Sequence, residues 1–526
     1  MTEHSAEEAR NERLRLVDWR FLLPSPQPRR VLCRTGRALA EAVAEIAGQV
    51  VTEAESEDCD LAVAEAPDAA ALREIRAALV PGGTCYAEWP ATAGQVPRVE
   101  AALRAAGFET ITCYRRWPRS ARLPAYWIPL DAPGAEAFVR ARARLRGGRV
   151  RRLGAEAVGR GRDALRGRLG GSLHVIATVP GGGSESGLRP MLQAEWPTWG
   201  LRDRPDRLSL LLATGGPRSV SKVVLLAFAE PHDAPVVAIK APRVPEAAEG
   251  IRREADVLER MDFRATAGAL EGAGSHRPAG VPRLLFRREC DGVPMIVETA
   301  LPGRALEGLI EAGNFAAWAE RATDWLVEVG RGSRLRPAAH WREAIVEPAL
   351  DRFERAFGRV ADPGLLRAGA AIARRIGDLP SVPEQRDFGP WNVLVGPDGG
   401  LAVLDWESGE VEGLPALDLL YFLGYASFSA ERARSREQRV ASFVRSLDGS
   451  SATGAVRRSS LERYTRGMGL DQASLAPLRA LVWLIHAHSD FRHAEADAAG
   501  PPPADALRRS LFLALWTAEV RDLVRG

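Results

Sequence analysis

Cysteine is scarce, with five widely spaced residues in a chain of 526. That spacing supplies neither a disulfide framework nor a Cys-x-x-Cys metal site, and it points to a reducing compartment. No apolar run approaches the length needed to cross a bilayer, and the opening M-T-E-H-S-A-E-E-A-R-N-E-R has no apolar signal segment. The expectation is a soluble, cytoplasmic protein with no stable membrane insertion. An excess of one charge sign is also missing. Seventy-one Lys and Arg face 68 Asp and Glu, for a formal net charge of +3, so bulk charge gives no reason to expect a nucleic-acid partner. What remains is ordinary globular composition, 46% hydrophobic and 26% charged, which argues against wholesale disorder. The length implies roughly two to four domains. Arginine far outnumbers lysine, which bears on coding composition rather than chemistry.

The most informative stretch is residues 385–405, Q-R-D-F-G-P-W-N-V-L-V-G-P-D-G-G-L-A-V-L-D. Two short apolar runs, 392–395 and 401–404, flank the turn signal Gly396-Pro397-Asp398-Gly399-Gly400, which predicts a β-hairpin. Antiparallel pairing puts Val395 opposite Leu401 and Asn392 near Leu404. The open end then gathers Asn392 and Asp405, with Asp387 on the incoming loop. Two carboxylates and a carboxamide at one point suit Mg2+, which takes few protein oxygens and leaves room for phosphate.

This spacing, D-x-x-x-x-N followed by an Asp after a hairpin, resembles the core of kinase-like phosphotransferases. The words R-D-F-G-P-W-N-V-L-V and L-D-W-E-S-G-E-V-E-G-L-P-A-L-D-L-L closely resemble the aminoglycoside phosphotransferase and choline kinase-like family. The family usually has His and Gly where this chain has Gln385 and Arg386. The resemblance implies an ATP-dependent (or GTP-dependent) phosphotransferase that uses Mg2+ and moves the γ-phosphate to a hydroxyl of a small acceptor. It implies catalytic roles for Asp387, Asn392 and Asp405, with Asn392 and Asp405 holding the metal, and a structural role for Asp418.

Upstream, residues 208–213 and 222–229 read as strands around the loop Thr214-Gly215-Gly216-Pro217-Arg218-Ser219-Val220-Ser221. Gly215, Gly216 and Ser219 would let backbone N–H groups approach nucleotide phosphates. Val237-Ala238-Ile239-Lys240 resembles the kinase strand whose lysine contacts the α- and β-phosphates. Glu254 falls on the apolar face of a helix at 246–261, beside Ile251, Ala255 and Leu258, where an acid needs a partner. Lys240 is expected to be that partner. Glu298 to Gly303 resembles the family's hinge, with the backbone of Glu298 and Ala300 toward an adenine edge. Glu407, Glu410 and Glu412 could form an acidic rim for a cationic acceptor such as an aminosugar, and an uncharged sugar fits equally well.

Residues 1–137 alternate strand and helix signals, which predicts a doubly wound parallel α/β sheet of Rossmann-like form. D-L-A-V-A-E-A-P and L-V-P-G-G-T-C-Y-A-E-W resemble a degenerate class I S-adenosylmethionine-dependent methyltransferase domain. The first strand, however, leads into a turn with the single glycine Gly36, so S-adenosylmethionine is not expected as a cofactor. Residues 138–200 read as an Arg-rich connector and Gly-rich linker, able at most to make weak contact with an anionic surface. Residues 201–302 would be the smaller lobe of a bilobal α+β protein-kinase-like fold, and 303–526 its helical larger lobe. Two competing expectations are a non-catalytic nucleotide-binding scaffold and a bifunctional methyltransferase–kinase. The cluster His486, His488, Asp490 and His493 reads as a polar helix end, since its spacing fits no common closed metal site.

Overall fold

The computed structural model describes residues 3–53, 57–90, 95–118, 123–146, 172–181, 187–201, 205–215, 222–229, 233–270, 279–290, 292–498 and 502–525. The chain divides into two compact units, residues 1–252 with 284–300, and 253–283 with 301–526. Most of the Arg-rich connector lies outside the described residues.

The first unit is built on one twelve-stranded sheet. Its strands are β1 (Arg30–Arg34), β2 (Gln49–Val51), β3 (Cys59–Glu65), β4 (Leu79–Pro90), β5 (Thr110–Trp117) and β6 (Tyr126–Pro129), then β7 (Ser172–Thr178), β8 (Leu208–Ala213), β9 (Lys222–Ala229), β10 (Pro235–Pro242), β11 (Leu284–Cys290) and β12 (Val293–Thr299). The spatial order is β11-β12-β10-β9-β8-β6-β5-β7-β4-β3-β1-β2. Only β2-β1-β3-β4 are mutually parallel. Strand β7 lies antiparallel between β4 and β5, and from β6 to β11 every neighbour pair is antiparallel. A large mixed sheet therefore stands where a separate, parallel sheet was expected for residues 1–137. The reason is the pairing of β6 with β8 through Tyr126↔Ala213 and Trp127↔Leu212, which joins the two sequence regions edge to edge.

Burial follows the pleat. On β1, Val31 and Cys33 enter one core while Leu32 enters the other, as the period of two requires. Both faces of the parallel strands are covered, which is why these strands read as unbroken apolar runs. The first core continues under Leu210, Leu212, Leu225 and Ile239, and Trp19, Trp196 and Trp199 pack into it. Trp19 stacks on Tyr86 with ring centroids 3.8 Å apart. Cys33, Cys59, Cys85 and Cys113 are buried free thiols.

A buried ion pair crosses this core. Arg243, just beyond β10, donates Nε to Asp18 Oδ1 at 2.9 Å and Nη2 to Asp18 Oδ2 at 3.0 Å. Nη2 also reaches the Thr214 carbonyl at 3.1 Å, at the root of the Gly215 loop. Burial pushes the Asp18 carboxyl up, while the Arg243 charge opposes it.

In the second unit, helices surround short hairpins. These are β13 (Arg304–Ala305), β14 (Leu335–Arg336), β15 (Leu379–Pro380), β16 (Val382–Glu384), β17 (Val393–Val395), β18 (Leu401–Val403) and β19 (Glu410–Gly413). Among the described residues no helix is long and apolar enough to cross a membrane.

Asp18→Ala would strand a guanidinium that is fully desolvated. The expected loss is about 3–5 kcal/mol of unfolding free energy, read by urea denaturation, with Asp18→Leu/Arg243→Met recovering most of it. A second expectation concerns Gly36, whose N–H already binds Glu65 Oε2 at 3.1 Å. The turn after β1 is closed by the chain's own carboxylate, so calorimetry with S-adenosylmethionine should show no heat of binding.

Candidate active site

The 385–405 stretch forms the hairpin its turn residues call for. Strands β17 and β18 pair with Val393↔Val403, Leu394↔Ala402 and Val395↔Leu401. Leu404 N–H bonds the Asn392 carbonyl at 2.9 Å, which closes the open end where the sequence places it. Gly399 holds φ of 82° in the turn, a conformation that glycine adopts without steric cost.

Ahead of the hairpin, three groups fix the loop. Asp418 sits in the first turn of the helix Leu417–Ala430 and is almost fully buried. Its carboxylate accepts the Gln385 N–H at 2.6 Å and the Arg386 N–H at 2.9 Å. The Gln385 side chain, itself buried, accepts the Asp387 N–H at 2.8 Å. Its Nε2 donates to the carbonyls of Leu404 at 3.0 Å and Asp405 at 2.6 Å. Glutamine thus ties the Asp387 loop to the strand end bearing Asp405, using both the donor and the acceptor of its amide. Arg386 and Asp405 adopt the left-handed region, at φ 65° and 67°. Glycine would take that geometry without strain; the arginine here is held in it by the Asp418 bond.

Asp387 receives three side-chain donors. Asn392 Nδ2 reaches Oδ2 at 2.8 Å, Trp391 Nε1 reaches Oδ2 at 3.3 Å, and Tyr421 OH reaches Oδ1 at 3.0 Å. Burial pushes the carboxyl up, these donors pull it down, and the Asp405 charge adds to the rise. A carboxylate offers about four acceptor positions, so one remains for an incoming hydroxyl. Because Asn392 spends its amide nitrogen on Asp387, its amide oxygen is the atom able to face a cation. The Asn392 amide and the Asp405 carboxylate, at the open end of the hairpin, are hard oxygen donors of the kind that Mg2+ takes. Among the described residues no group of three or more His, Cys, Asp or Glu converges on a metal-sized site.

Glu254 is fully buried and accepts the Trp406 N–H at 2.9 Å, one residue beyond Asp405. Lys240 belongs to the first unit. There its Nζ lies 2.8 Å from Glu298 Oε1, with both side chains buried. The two residues are diagonal neighbours on β10 and β12, where Ala238 faces Glu298 and Lys240 faces Ile296. The Ala300 N–H, read from the sequence as adenine-facing, is spent on the Val236 carbonyl at 2.9 Å. Gly215 is exposed at the end of β8, and Gly216 and Ser219 lie outside the described residues.

Sequence reasoning missed Tyr421, Trp391 and the lysine-binding role of Glu298. Tyr421 was findable: it lies three residues after Asp418, on the same helix face. His486, read as part of a polar helix end, instead packs 4.2 Å from the Tyr421 ring. Burial and the nearby Arg386 charge hold its imidazolium down to about 3. Asp490 and His493 have side chains outside the described residues.

The chain matches no family model and no curated protein. Among solved structures it is similar to a thermostable mutant of aminoglycoside phosphotransferase APH(4)-Ia in ternary complex with ADP and hygromycin B. That match has 13% identity and a TM-score of 0.37, over 60% of this chain and 94% of that one. An aminoglycoside phosphotransferase from Alicyclobacillus acidocaldarius matches at 13% identity and TM-score 0.34, over 57% and 89%. The gentamicin complex of APH(2")-IIa matches at 10% and 0.31, over 64% and 97%. Likenesses this distant leave the chemistry to be read from the chain's own residues.

The carboxylates Glu384 and Asp418 are both buried, and both are pushed up. For Asp418, burial and then the Glu384 charge carry it to about 8. A folded-state value above the unfolded one means that ionisation opposes folding, so stability falls as pH climbs from about 4 toward 8. Glu384→Gln removes the neighbouring charge and should flatten that fall. Denaturation midpoints at about pH 5 and pH 8 for both proteins test it, and a wild type whose stability does not change between them rules out the mutual repulsion.

Proposed function

We propose that the protein is an ATP-dependent phosphotransferase that moves the γ-phosphate to a hydroxyl of a small acceptor. One observation supports this above the rest: Gln385 ties Asp387 to the backbone of Asp405, and Asn392 bonds the Asp387 carboxylate, all at hydrogen-bond distances. Phosphoryl transfer asks a protein for position and charge neutralisation rather than covalent chemistry, and a pre-set loop supplies position.

In this reading the acceptor oxygen takes the fourth acceptor position at the Asp387 carboxylate. It attacks the γ-phosphorus, the bond to the β–γ bridging oxygen breaks, and ADP leaves. The hydroxyl proton passes to Asp387, whose raised affinity for protons suits it to receive one. Asn392 and Asp405 would hold Mg2+, which when bound neutralises charge on the β- and γ-phosphate oxygens. Lys240 is assigned by its strand motif to the α- and β-phosphates, and its buried pairing with Glu298 keeps the ammonium in one place. Tyr421 and Trp391 act as positioning residues that aim the Asp387 carboxylate.

The test is acceptor-stimulated ADP release with Mg2+, ATP and a panel of hydroxylated compounds. Wild type should turn over, and Asp387→Ala should lose about 10²–10⁴-fold in kcat. Nucleotide-dependent thermal stabilisation should persist in that variant, which separates lost chemistry from lost binding. Wild type that is stabilised by nucleotide yet transfers phosphate to no acceptor would make the protein a nucleotide-binding scaffold instead.

A further inference from the structure

A cluster of ionisable and hydroxyl side chains sits at one end of the large sheet in the first unit, on β4, β5 and β7. Glu88 faces His174 across the β4–β7 ladder. Tyr86 and Ser172 lie two residues from them, so the pleat puts all four on one face. Ser172 opens β7 and is half-buried, while His174 is fully buried.

The hydrogen bonds run in one direction. Ser172 Oγ lies 2.8 Å from His174 Nε2. On the far side of the imidazole, Nδ1 lies 2.9 Å from Tyr86 OH and 3.4 Å from Glu88 Oε1. Tyr86 OH donates to Glu88 Oε1 at 2.6 Å. A phenol has one proton, and Tyr86 gives it to the carboxylate, so its oxygen accepts the proton on Nδ1. Nε2 is then bare and accepts the Ser172 hydroxyl. Burial holds the His174 imidazolium down, with the Glu88 bond opposing, so the ring is neutral. Burial pushes the Glu88 carboxyl up, and the bonds from His174 and Tyr86 outweigh it, so this group is ionised. Packing fixes the rings: Trp19 stacks on Tyr86 at 3.8 Å, and Trp127 meets His174 edge to face at 4.8 Å. Arg116 Nη2 donates to Ser172 Oγ at 3.3 Å, and Arg116 Nε is buried with no hydrogen-bond partner among the described residues.

We propose that Ser172 is a nucleophile and His174 its general base, forming a second site that hydrolyses small carboxylic esters and needs no nucleotide. A nucleophile within hydrogen-bond reach of a base, with the base oriented by a third group, is the arrangement that activates serine on unrelated folds. Ser172 Oγ attacks the ester carbonyl carbon as its proton passes to Nε2. The imidazolium returns that proton to the departing alkoxide as the C–O bond breaks. Water, deprotonated by the same nitrogen, attacks the acyl carbon, and Ser172 is reprotonated as the carboxylic acid leaves. Glu88 and Tyr86 are positioning residues that set the tautomer and offset the imidazolium charge. The Arg116 guanidinium supplies donors beside the oxygen that becomes negative in the attack.

The test uses the full chain with a fluorophosphonate probe and with p-nitrophenyl acetate. The probe should modify Ser172, located by peptide mass spectrometry, at least about tenfold faster in the folded chain than in urea, because only the folded chain has the base in place. Ser172→Ala should hydrolyse the ester about 10²-fold or more slowly than wild type. Glu88→Gln should lower kcat roughly tenfold with KM and the urea midpoint unchanged, a split that a merely structural carboxylate would not give. Failure of the probe to reach Ser172, equal labelling in folded and unfolded chains, or ester hydrolysis that Ser172→Ala leaves intact overturns the proposal and makes the cluster a structural network. Ser172-dependent hydrolysis that Glu88→Gln does not slow overturns the role given to Glu88.

Discussion

One buried carboxylic group holds the loop that bears Asp387. Asp418 accepts two consecutive backbone N–H groups, those of Gln385 and Arg386. Both of its oxygens are engaged, one by each N–H, and the low dielectric of the interior strengthens such bonds. They hold Arg386 in a left-handed conformation that costs a non-glycine residue on the order of 1–3 kcal/mol. That bend delivers Asp387 to Asn392, Trp391 and Tyr421 together. Asp405 has a similar strained φ, and its carbonyl is held by Gln385 rather than by Asp418 directly. Strain at Arg386 and Asp405 is thus countered by hydrogen bonds to Asp418 and Gln385. A loop fixed in this way loses little entropy when a substrate arrives.

Gln385 shows how a single amide can join two backbone segments. A side chain here must accept from one backbone group and donate to another across the hairpin mouth. Imidazole can do this with its two nitrogens, and a primary amide can do it with its oxygen and nitrogen. The amide has one advantage: its nitrogen has two protons and reaches two carbonyls, those of Leu404 and Asp405. It also does not titrate near neutrality, so the tie between the two aspartates is insensitive to pH.

Local features were legible in the sequence; distant pairings were not. The hairpin register followed from five turn residues and two apolar runs. Strands β8 and β9 lie at the residues that the alternation of apolar runs and polar loop indicated. The buried face of Glu254, Ala255 and Leu258 followed from helical period. By contrast, Glu298 as the lysine's neighbour depends on which strands pair and in what register, and no residue near Lys240 encodes that. The doubly wound parallel sheet failed as an expectation for the same reason. Alternating β and α signals specify the units but not the strand at the edge, and β7, which enters antiparallel between β4 and β5, comes from beyond the Arg-rich segment. Tyr421 is an intermediate case, since its helix face is readable and its contact is not.

The continuity of the large sheet gives the N-terminal region a structural part in the first unit. Strand β8 would be an edge if β6 were absent, and an exposed apolar edge invites aggregation. Its residues Leu208, Leu210, Leu211 and Leu212 are all buried, so no polar face stands ready to meet water. Pairing with β6 covers that edge, and the Asp18–Arg243 bond fastens the same region beside the Thr214 carbonyl. The root of the glycine loop and the strand bearing Lys240 therefore share one hydrophobic core with residues near the chain's start. Within that sheet the β10–β12 ladder holds Lys240 and Glu298 as diagonal neighbours. The N-terminal region thus contributes buried area and a paired edge to the sheet that bears Lys240 and Glu298.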